Sequence, residues 1–426
     1  MPIRISRDEH NISRANISKN AVKVLYRLSN SEYEAYLVGG GVRDLLLGRE
    51  PKDFDVATNA RPEEVKQVFS NCRLIGRRFR LAHVHFGKEI IEVATFRSSQ
   101  PASQDGDRHL ENGMILRDNV YGTLEEDAQR RDFTINALYY NIKDFSLVDF
   151  ANGLEDLQNG VIRLLGDVES RFREDPVRLL RAVRFAAKLG FVIEPRTEAP
   201  MEALAVLLDG VPAARLYEEV LKLFLSGHAL ASFEKLRHYN LFGHLFPLTE
   251  EALSHEEHEF PLTFVNRGMY NTDERLRQGK SVTPAFLFAV LLWEPVRLRS
   301  EALEAQQVHP VEALQTAASE VLSEQSRKVS IPKRFSYPMR DIWTLQPRFL
   351  QRQGKRPQRF LTHPKFRAAY DFLLLRAKAG EADQELADWW TLFQNANGTE
   401  QQGMTEPGTK KRRRRRRRKK PASTDE

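Results

Sequence analysis

Residues 37–55 read Leu37-Val38-Gly39-Gly40-Gly41-Val42-Arg43-Asp44-Leu45-Leu46-Leu47-Gly48-Arg49-Glu50-Pro51-Lys52-Asp53-Phe54-Asp55, and their reading decides the fold. Tyr36-Leu37-Val38 is a short strand running into three glycines. A helix from Val42 to Leu47 follows, ended by Gly48. Asp53-Phe54-Asp55-Val56-Ala57 alternates polar and apolar as a half-buried strand does. Strand, glycine turn, helix and strand together predict an α/β domain. Glycines let backbone N–H groups approach a phosphate, and a helix start favours anions. Gly39 and Gly40 are therefore candidate phosphate contacts, and Arg43 can add charge-assisted bonds to a triphosphate. The spacing is neither a Walker loop nor the dinucleotide fingerprint.

Residues two apart on a strand share a face, so Asp53 and Asp55 stand side by side. Like charges so placed are costly unless a cation lies between them. Magnesium prefers hard oxygen ligands and keeps sites for water and phosphate, so the pair suits two such ions, with manganese able to substitute. A lone Asp-x-Asp is more often a solvated strand face; the glycine turn upstream makes the metal reading the stronger one.

The pattern extends downstream. Arg61 to Phe69 is helical, and strand signals recur at Arg80 to Phe86, Ile90 to Phe96 and the Tyr139 to Val148 region. Glu92 and Arg97 place an acid and a base on one buried strand, which makes Glu92 a candidate third carboxylate and Arg97 a candidate nucleotide contact. In Glu126-Asp127-Ala128-Gln129-Arg130-Arg131-Asp132-Phe133-Thr134-Ile135-Asn136, Asp132 and Asn136 share a helical face. In Glu174-Asp175-Pro176-Val177-Arg178-Leu179-Leu180-Arg181-Ala182-Val183-Arg184-Phe185, three arginines fan across one polar side of a helix entered near Pro176. Ser98 to Gly113 is polar and reads as a mobile surface loop.

The 426 residues suggest several domains. Residues 1–20 form a flexible arm in this reading, 21–152 an α/β head and 153–210 a helical neck that binds nucleotide and RNA. Residues 211–394 form a helical body that binds RNA, and 395–426 a disordered basic tail. The most apolar stretch, Ala285 to Trp293, is far shorter than the about twenty residues of a membrane span, so it reads as a buried core helix. No secretory signal is visible, and the single cysteine, Cys72, excludes an intramolecular disulfide and reads as a core residue. These features fit a cytoplasmic protein.

Charge is unevenly spread. Lys410 through Lys420 is an unbroken run of eleven cations, and removing them from the net +7 leaves the remainder at −4. Lys410, Lys411, Arg412, Arg418, Lys419 and Lys420 therefore suit phosphate attraction. His83 and His85 lie two apart on a strand, and His255-Glu256-Glu257-His258 lacks the His-Glu-x-x-His spacing; hydrogen-bonding and surface roles suit them better than metal binding.

Together these segments resemble the family of tRNA nucleotidyltransferases and bacterial poly(A) polymerases. The resemblance spans residues 36–190 and implies a nucleotidyltransferase head followed by all-α neck, body and tail. It implies magnesium on Asp53 and Asp55, triphosphate contacts from Gly40 and Arg43, and a nucleotide site lined by Arg131 and Asp132. Asp175 and Arg178 would present the base-selecting edge, with Arg181 and Arg184 nearby. The third metal-facing acid stays open between Glu92 and Asp132.

Leu74-Ile75-Gly76-Arg77-Arg78-Phe79-Arg80-Leu81-Ala82-His83-Val84 resembles the poly(A) polymerase branch. Arg77, Arg78 and Arg80 would then meet RNA. The implied activity is template-independent addition of AMP from ATP to RNA 3′ ends, in RNA processing and decay, with RNA-decay proteins as partners. CCA addition to tRNA is the alternative, and a non-catalytic RNA-binding protein a third reading.

Overall fold

The structure, a computed structural model, describes residues 2–76, 80–98, 108–111, 114–254 and 260–405. The chain forms two compact units. The first comprises residues 1–251, 269–282 and 324–331.

Its centre is an eight-stranded mixed sheet. The strands of the head are β1 (Ile3–Ile5), β2 (Ala35–Val38), β3 (Asp55–Thr58), β4 (Cys72–Ile75), β5 (Leu81–Phe86), β6 (Glu89–Thr95), β7 (Arg108–Glu111), β8 (Met114–Asp118), β9 (Leu138–Asn141) and β10 (Leu147–Asp149). The order across the main sheet is β1-β10-β9-β2-β3-β6-β5-β4. Only β3 and β6 pair in parallel, setting Asp55 opposite Glu92. The interior strand β2 is buried along its whole length, which explains its continuous apolar run.

Helices cover the sheet. The first, α1 (Lys19–Asn30), is capped by the Ser18 hydroxyl, which accepts from the N–H groups of Asn20 and Ala21. It buries Ala21, Val24, Leu25 and Leu28 on one face. Further on come α2 (Gly40–Leu46), α3 (Pro62–Val68) and α4 (Leu124–Arg130), the last opened by a Thr123/Glu126 capping box. Beneath the site Tyr36, Val38, Ala57, Phe96, Ala128, Tyr139 and Val148 form a buried cluster.

Four expectations change here. Residues 1–20 are not a free arm in their described part: β1 closes one sheet edge against β10. Backbone pairing asks little of side-chain pattern, so a three-residue edge strand leaves no periodic signal. Asp53 precedes β3 and is exposed, whereas Asp55 opens the strand. Within the expected loop Ser98–Gly113, Arg108–Glu111 pairs with Met114–Asp118 as a hairpin. The Tyr139 to Val148 region divides into the hairpin β9–β10.

Beyond the head the first unit is helical: α5 (Gly153–Asn159), α6 (Val168–Glu174), α7 (Val177–Leu189), α8 (Pro195–Glu198), α9 (Ala213–Phe224) and α10 (Ala229–His238). One short parallel pair, Val161–Ile162 with Val192–Ile193, interrupts the helical region where no strand was expected. Helices α6 and α7 are separated at Asp175, whose backbone is extended (φ −150°, ψ 87°). Pro176 disfavours helical geometry in the residue before it, so the break is dictated locally.

The second unit comprises residues 252–268, 283–323 and 332–426. Its described part is helical and contains the expected core helix Pro284–Leu291. An aromatic cluster holds it, with Phe349 edge-on to Trp390 at 5.2 Å. All four tryptophans, Trp293, Trp343, Trp389 and Trp390, belong to this unit. Residues Gly398–Met404 form a short capped helix, where a disordered tail was expected. No helix of the described residues is long and apolar enough to cross a membrane.

Candidate active site

The glycine turn and the paired acids meet. Gly39 adopts φ +69°, a conformation costly for other residues. A Cβ there would lie 3.5 Å from Arg131 Nη1 and 3.8 Å from Asp55 Oδ2, and one on Gly41 would lie 3.3 Å from the Asp53 carbonyl oxygen. The bare backbone thus lets the turn sit against the Asp53–Asp55 segment.

Burial first, then Glu92 and more weakly Asp53, against the opposition of Arg131, bring the Asp55 carboxyl up to about 6. The Glu92 side chain is 43% exposed and its Oε2 lies 3.4 Å from His83 Nε2. Its strand is less enclosed than its apolar neighbours suggested, which removes the need for a metal partner. Among the described residues no three His, Cys, Asp or Glu side chains gather as metal ligands. His83 takes a hydrogen-bonding role.

These groups open onto a cleft of about 340 Å³ in the first unit. Arg97, Arg130, Arg131, Asp132, Asp175, Arg178, Arg181, Arg215 and Glu219 line it together with Asp55 and Glu92. Arg131 Nε donates to the Tyr139 hydroxyl at 2.8 Å, and its Nη2 donates to Asp127 at 3.1 Å. Burial opposes the charge on Arg131, but Tyr139 and Asp127 hold it more firmly protonated than usual. Asp127 also accepts from the Tyr139 hydroxyl at 2.7 Å and from the Arg97 backbone N–H at 3.2 Å.

Asp132 faces Arg181, whose Nε donates to Oδ2 at 2.7 Å. Burial disfavours the Asp132 charge, yet Arg181, Asn136 and the Phe133 N–H hold its carboxyl well below the carboxylate range. From there a polar chain runs away from the cleft. Asn136 donates to Asp132 at 3.1 Å and accepts from Arg43 Nη1 at 2.8 Å. Arg43 Nη2 donates to Asp44 at 2.7 Å, and Lys188 Nζ donates to the other Asp44 oxygen at 3.3 Å.

This arrangement corrects the reading of Arg43. It is 2% exposed, lies over the Phe185 ring and spends its donors on Asp44 and Asn136. The second helical turn of α2 points inward, so Arg43 braces the site instead of meeting a triphosphate. Asn136 is likewise buried and bridging. Arg184 stacks on Phe185 outside the lining of the cleft, and burial followed by Arg181 lowers its guanidinium to about 10.

The break between α6 and α7 turns Asp175 into the cleft. Arg215 on α9 grips it with both nitrogens, Nη2 donating to Oδ2 at 2.8 Å and Nη1 lying 2.7 Å from Oδ1. Arg178 Nη1 donates to Glu174 at 3.2 Å. Sequence reasoning missed Asp127, Arg130, Arg215 and Glu219. Asp127 carried a signal, lying four residues before Arg131 on one helical face. Arg215 and Glu219 carried none, because only the tertiary fold brings α9 to α7. Arg80 pairs with Glu63 at 2.9 Å. Arg77, Arg78, His255–His258 and Lys410–Lys420 lie outside the described residues.

An Asp pair beside a glycine turn, a cationic cleft and an α/β head continued by helices define a nucleotidyltransferase. Three family descriptions match in order: the poly A polymerase head domain over residues 35–163, the probable RNA and SrmB-binding site of polymerase A over 190–253, and the polymerase A arginine-rich C-terminus over 306–422. Poly(A) polymerase I of Salmonella typhi is 51% identical over 406 residues, covering 94% of this chain and 87% of that protein. The chain belongs to the bacterial poly(A) polymerase family and is a polynucleotide adenylyltransferase, adding AMP from ATP to RNA 3′ ends.

Likeness to the CCA-adding enzymes is more partial. That of Lactobacillus helveticus is 41% identical over 214 residues, 50% of this chain and 52% of that enzyme. The Thermotoga maritima CCA-adding enzyme complexed with tRNA shares the fold, with a TM-score of 0.61 at 22% identity over 93% of this chain and 87% of that one.

Proposed function

We propose that Asp53 and Asp55 hold two magnesium ions, replaceable by manganese, and that Arg97, Arg130 and Arg131 receive the ATP triphosphate. The observation that carries this is Asp55, paired across the sheet with Glu92 and close to Asp53, with burial and then Glu92 raising its carboxyl to about 6 although Arg131 opposes the rise. Hard carboxylate oxygens are the ligands magnesium prefers. When bound, the ions ease deprotonation of the RNA 3′-hydroxyl and neutralise the departing pyrophosphate.

The side chains divide the remaining work. Arg131, fixed by Asp127 and Tyr139, presents its charge beside Gly39, whose backbone leaves room for a phosphate. Gly40 continues that turn. Asp132 holds Arg181 in the cleft, and Asn136 and Arg43 hold Asp132. Arg178 offers donors to the base edge. Preorganised charge of this kind costs no rearrangement when the bond breaks.

At the level of domains, residues 21–152 act as the head, 153–210 as the neck that selects nucleotide, and 211–394 as an RNA-binding body. The match to a probable RNA-binding site over 190–253 supports the last two. Arg77, Arg78, Arg80 and the run Lys410–Lys420 grip RNA phosphates. An activity on RNA 3′ ends suits a cytoplasmic protein that works beside proteins of RNA decay.

The test uses the full chain with Asp53 and Asp55 both replaced by alanine. Extension of a 3′-hydroxyl RNA by ATP should disappear while RNA binding persists. Magnesium should raise the unfolding midpoint of the unaltered protein and leave that of the variant unchanged. An equal magnesium shift in both would place the ions elsewhere.

A further inference from the structure

Arg171, on α6, stands outside the lining of the cleft and is 9% exposed. Its guanidinium nevertheless joins two sides of the site. Nη2 donates to the carbonyl oxygens of Arg130 at 2.5 Å and of Arg131 at 2.8 Å. Arg130 ends α4 and Arg131 caps it, and the last carbonyls of a helix have no partner within it. Nε donates to the Leu165 carbonyl oxygen at 3.1 Å. The Leu165 N–H already donates to the Asp132 carbonyl oxygen at 2.9 Å, so the guanidinium fork closes a ring across this seam.

The remaining donor turns towards α7. Arg171 Nη1 donates to Glu174 Oε2 at 2.7 Å, and the same oxygen accepts from Arg178 Nη1 at 3.2 Å. Arg178 Nη1 also donates to the Arg171 carbonyl oxygen at 2.5 Å. Two arms of the cleft therefore hang on one planar group: Arg130 and Arg131 through their main chain, and Arg178 through Glu174. Burial, and then the charge of Arg178, lowers the Arg171 guanidinium to about 10, which leaves it a cation at neutral pH. Apolar packing holds two elements together as well as a buried charge does. What a planar fork adds is fixed distance and angle between its acceptors.

We propose that Arg171 is a positioning residue for the transfer: it fixes the spacing between Arg130–Arg131 and Arg178, so that one ATP engages both arms at once. The assignment rests on the reading of Arg130 and Arg131 as the groups that receive the triphosphate. Without the fork each arm still meets its own part of ATP, but the two no longer hold the attacked phosphorus in register. A misplacement of about 1 Å is enough to slow a reaction about a hundredfold.

The experiment compares the full chain with Arg171→Met in two measurements. One is kcat and KM for single additions of ATP to a 3′-hydroxyl RNA, per folded molecule, with the folded fraction taken from far-UV circular dichroism. The other is competition of tripolyphosphate against ATP in excess magnesium. In Arg171→Met, kcat/KM should fall by roughly ten- to a hundredfold, mostly in kcat. The inhibition constant of tripolyphosphate, which needs one arm alone, should move by less than about threefold. An unchanged kcat/KM, whatever the urea midpoint, would reduce Arg171 to a packing residue and overturns the proposal. A tripolyphosphate constant that rises in step with the loss of kcat/KM also overturns it, because the fork would then support the nearer arm only.

Should Arg171→Met fail to fold, Arg171→Lys carries the test. One ammonium keeps the charge but cannot reach Leu165, Arg130, Arg131 and Glu174 together. The same split is expected, and an unaltered kcat overturns the proposal. If tripolyphosphate does not compete with ATP in the unaltered protein, the reading of the triphosphate arms fails first and this assignment with it.

Discussion

Replacing Arg43 by methionine separates two accounts of one residue. In the structure its guanidinium is 2% exposed, 2.7 Å from Asp44 and 2.8 Å from Asn136. Methionine keeps much of the length and removes the charge. Breaking a buried ion pair on one side costs about 3–5 kcal/mol. Lys188 remains 3.3 Å from Asp44 and partly compensates it, which favours the lower end, about 3 kcal/mol. With a urea dependence of about 3 kcal/mol/M for a unit of this size, the midpoint should fall by about 1 M.

Tryptophan fluorescence is the wrong probe, since all four tryptophans are in the other unit. Far-UV circular dichroism, with hydrogen exchange of residues 35–46, follows the correct one. At a temperature where the variant is folded, KM for ATP should change by less than about threefold. An unmoved urea midpoint combined with a tenfold or larger rise in KM would put Arg43 at the triphosphate and refute the buried-brace account.

Asp132→Asn should flatten the acid limb of stability. The folded carboxyl lies below its unfolded value near 3.9, so its contribution is complete above about pH 5 and fades as pH falls towards the folded value. Urea midpoints at several pH values would show the difference between the two proteins shrinking with acid; a constant difference argues against the Arg181 pairing. Deleting residues 410–420 should weaken RNA binding and make its log–log salt slope shallower by about 0.7 for each phosphate the run neutralises. An unchanged slope would remove the tail from the RNA interface.

The head was readable because its chemistry is local. Tyr36 to Asp55 carries strand, turn, helix and acids within one short stretch, and the burial of β2 follows from its unbroken apolar run. Arg131, Asp132 and Asp175 were found for the same reason, each sitting in a charged segment beside an apolar one. What failed was direction. Arg43 is one position in a helix whose two faces are nearly equally enclosed, so sequence could not say that it points inward. Arg215 and Glu219 lie on an ordinary amphipathic helix, and only its packing on α7 gives them a role. The edge strand β1 was lost because three residues hold no period.

That edge strand has a practical meaning for handling the protein. Ile3–Ile5 covers the outer side of β10, and His10 and Asn11 tie the segment down through the carbonyl oxygens of Phe145 and Leu46. Stripping these residues would leave a row of β10 backbone groups unsatisfied, a template on which a second molecule can add its own strand. A shortened form, trimmed on the belief that its start is dispensable, should therefore tend to aggregate while its catalytic side chains stay intact.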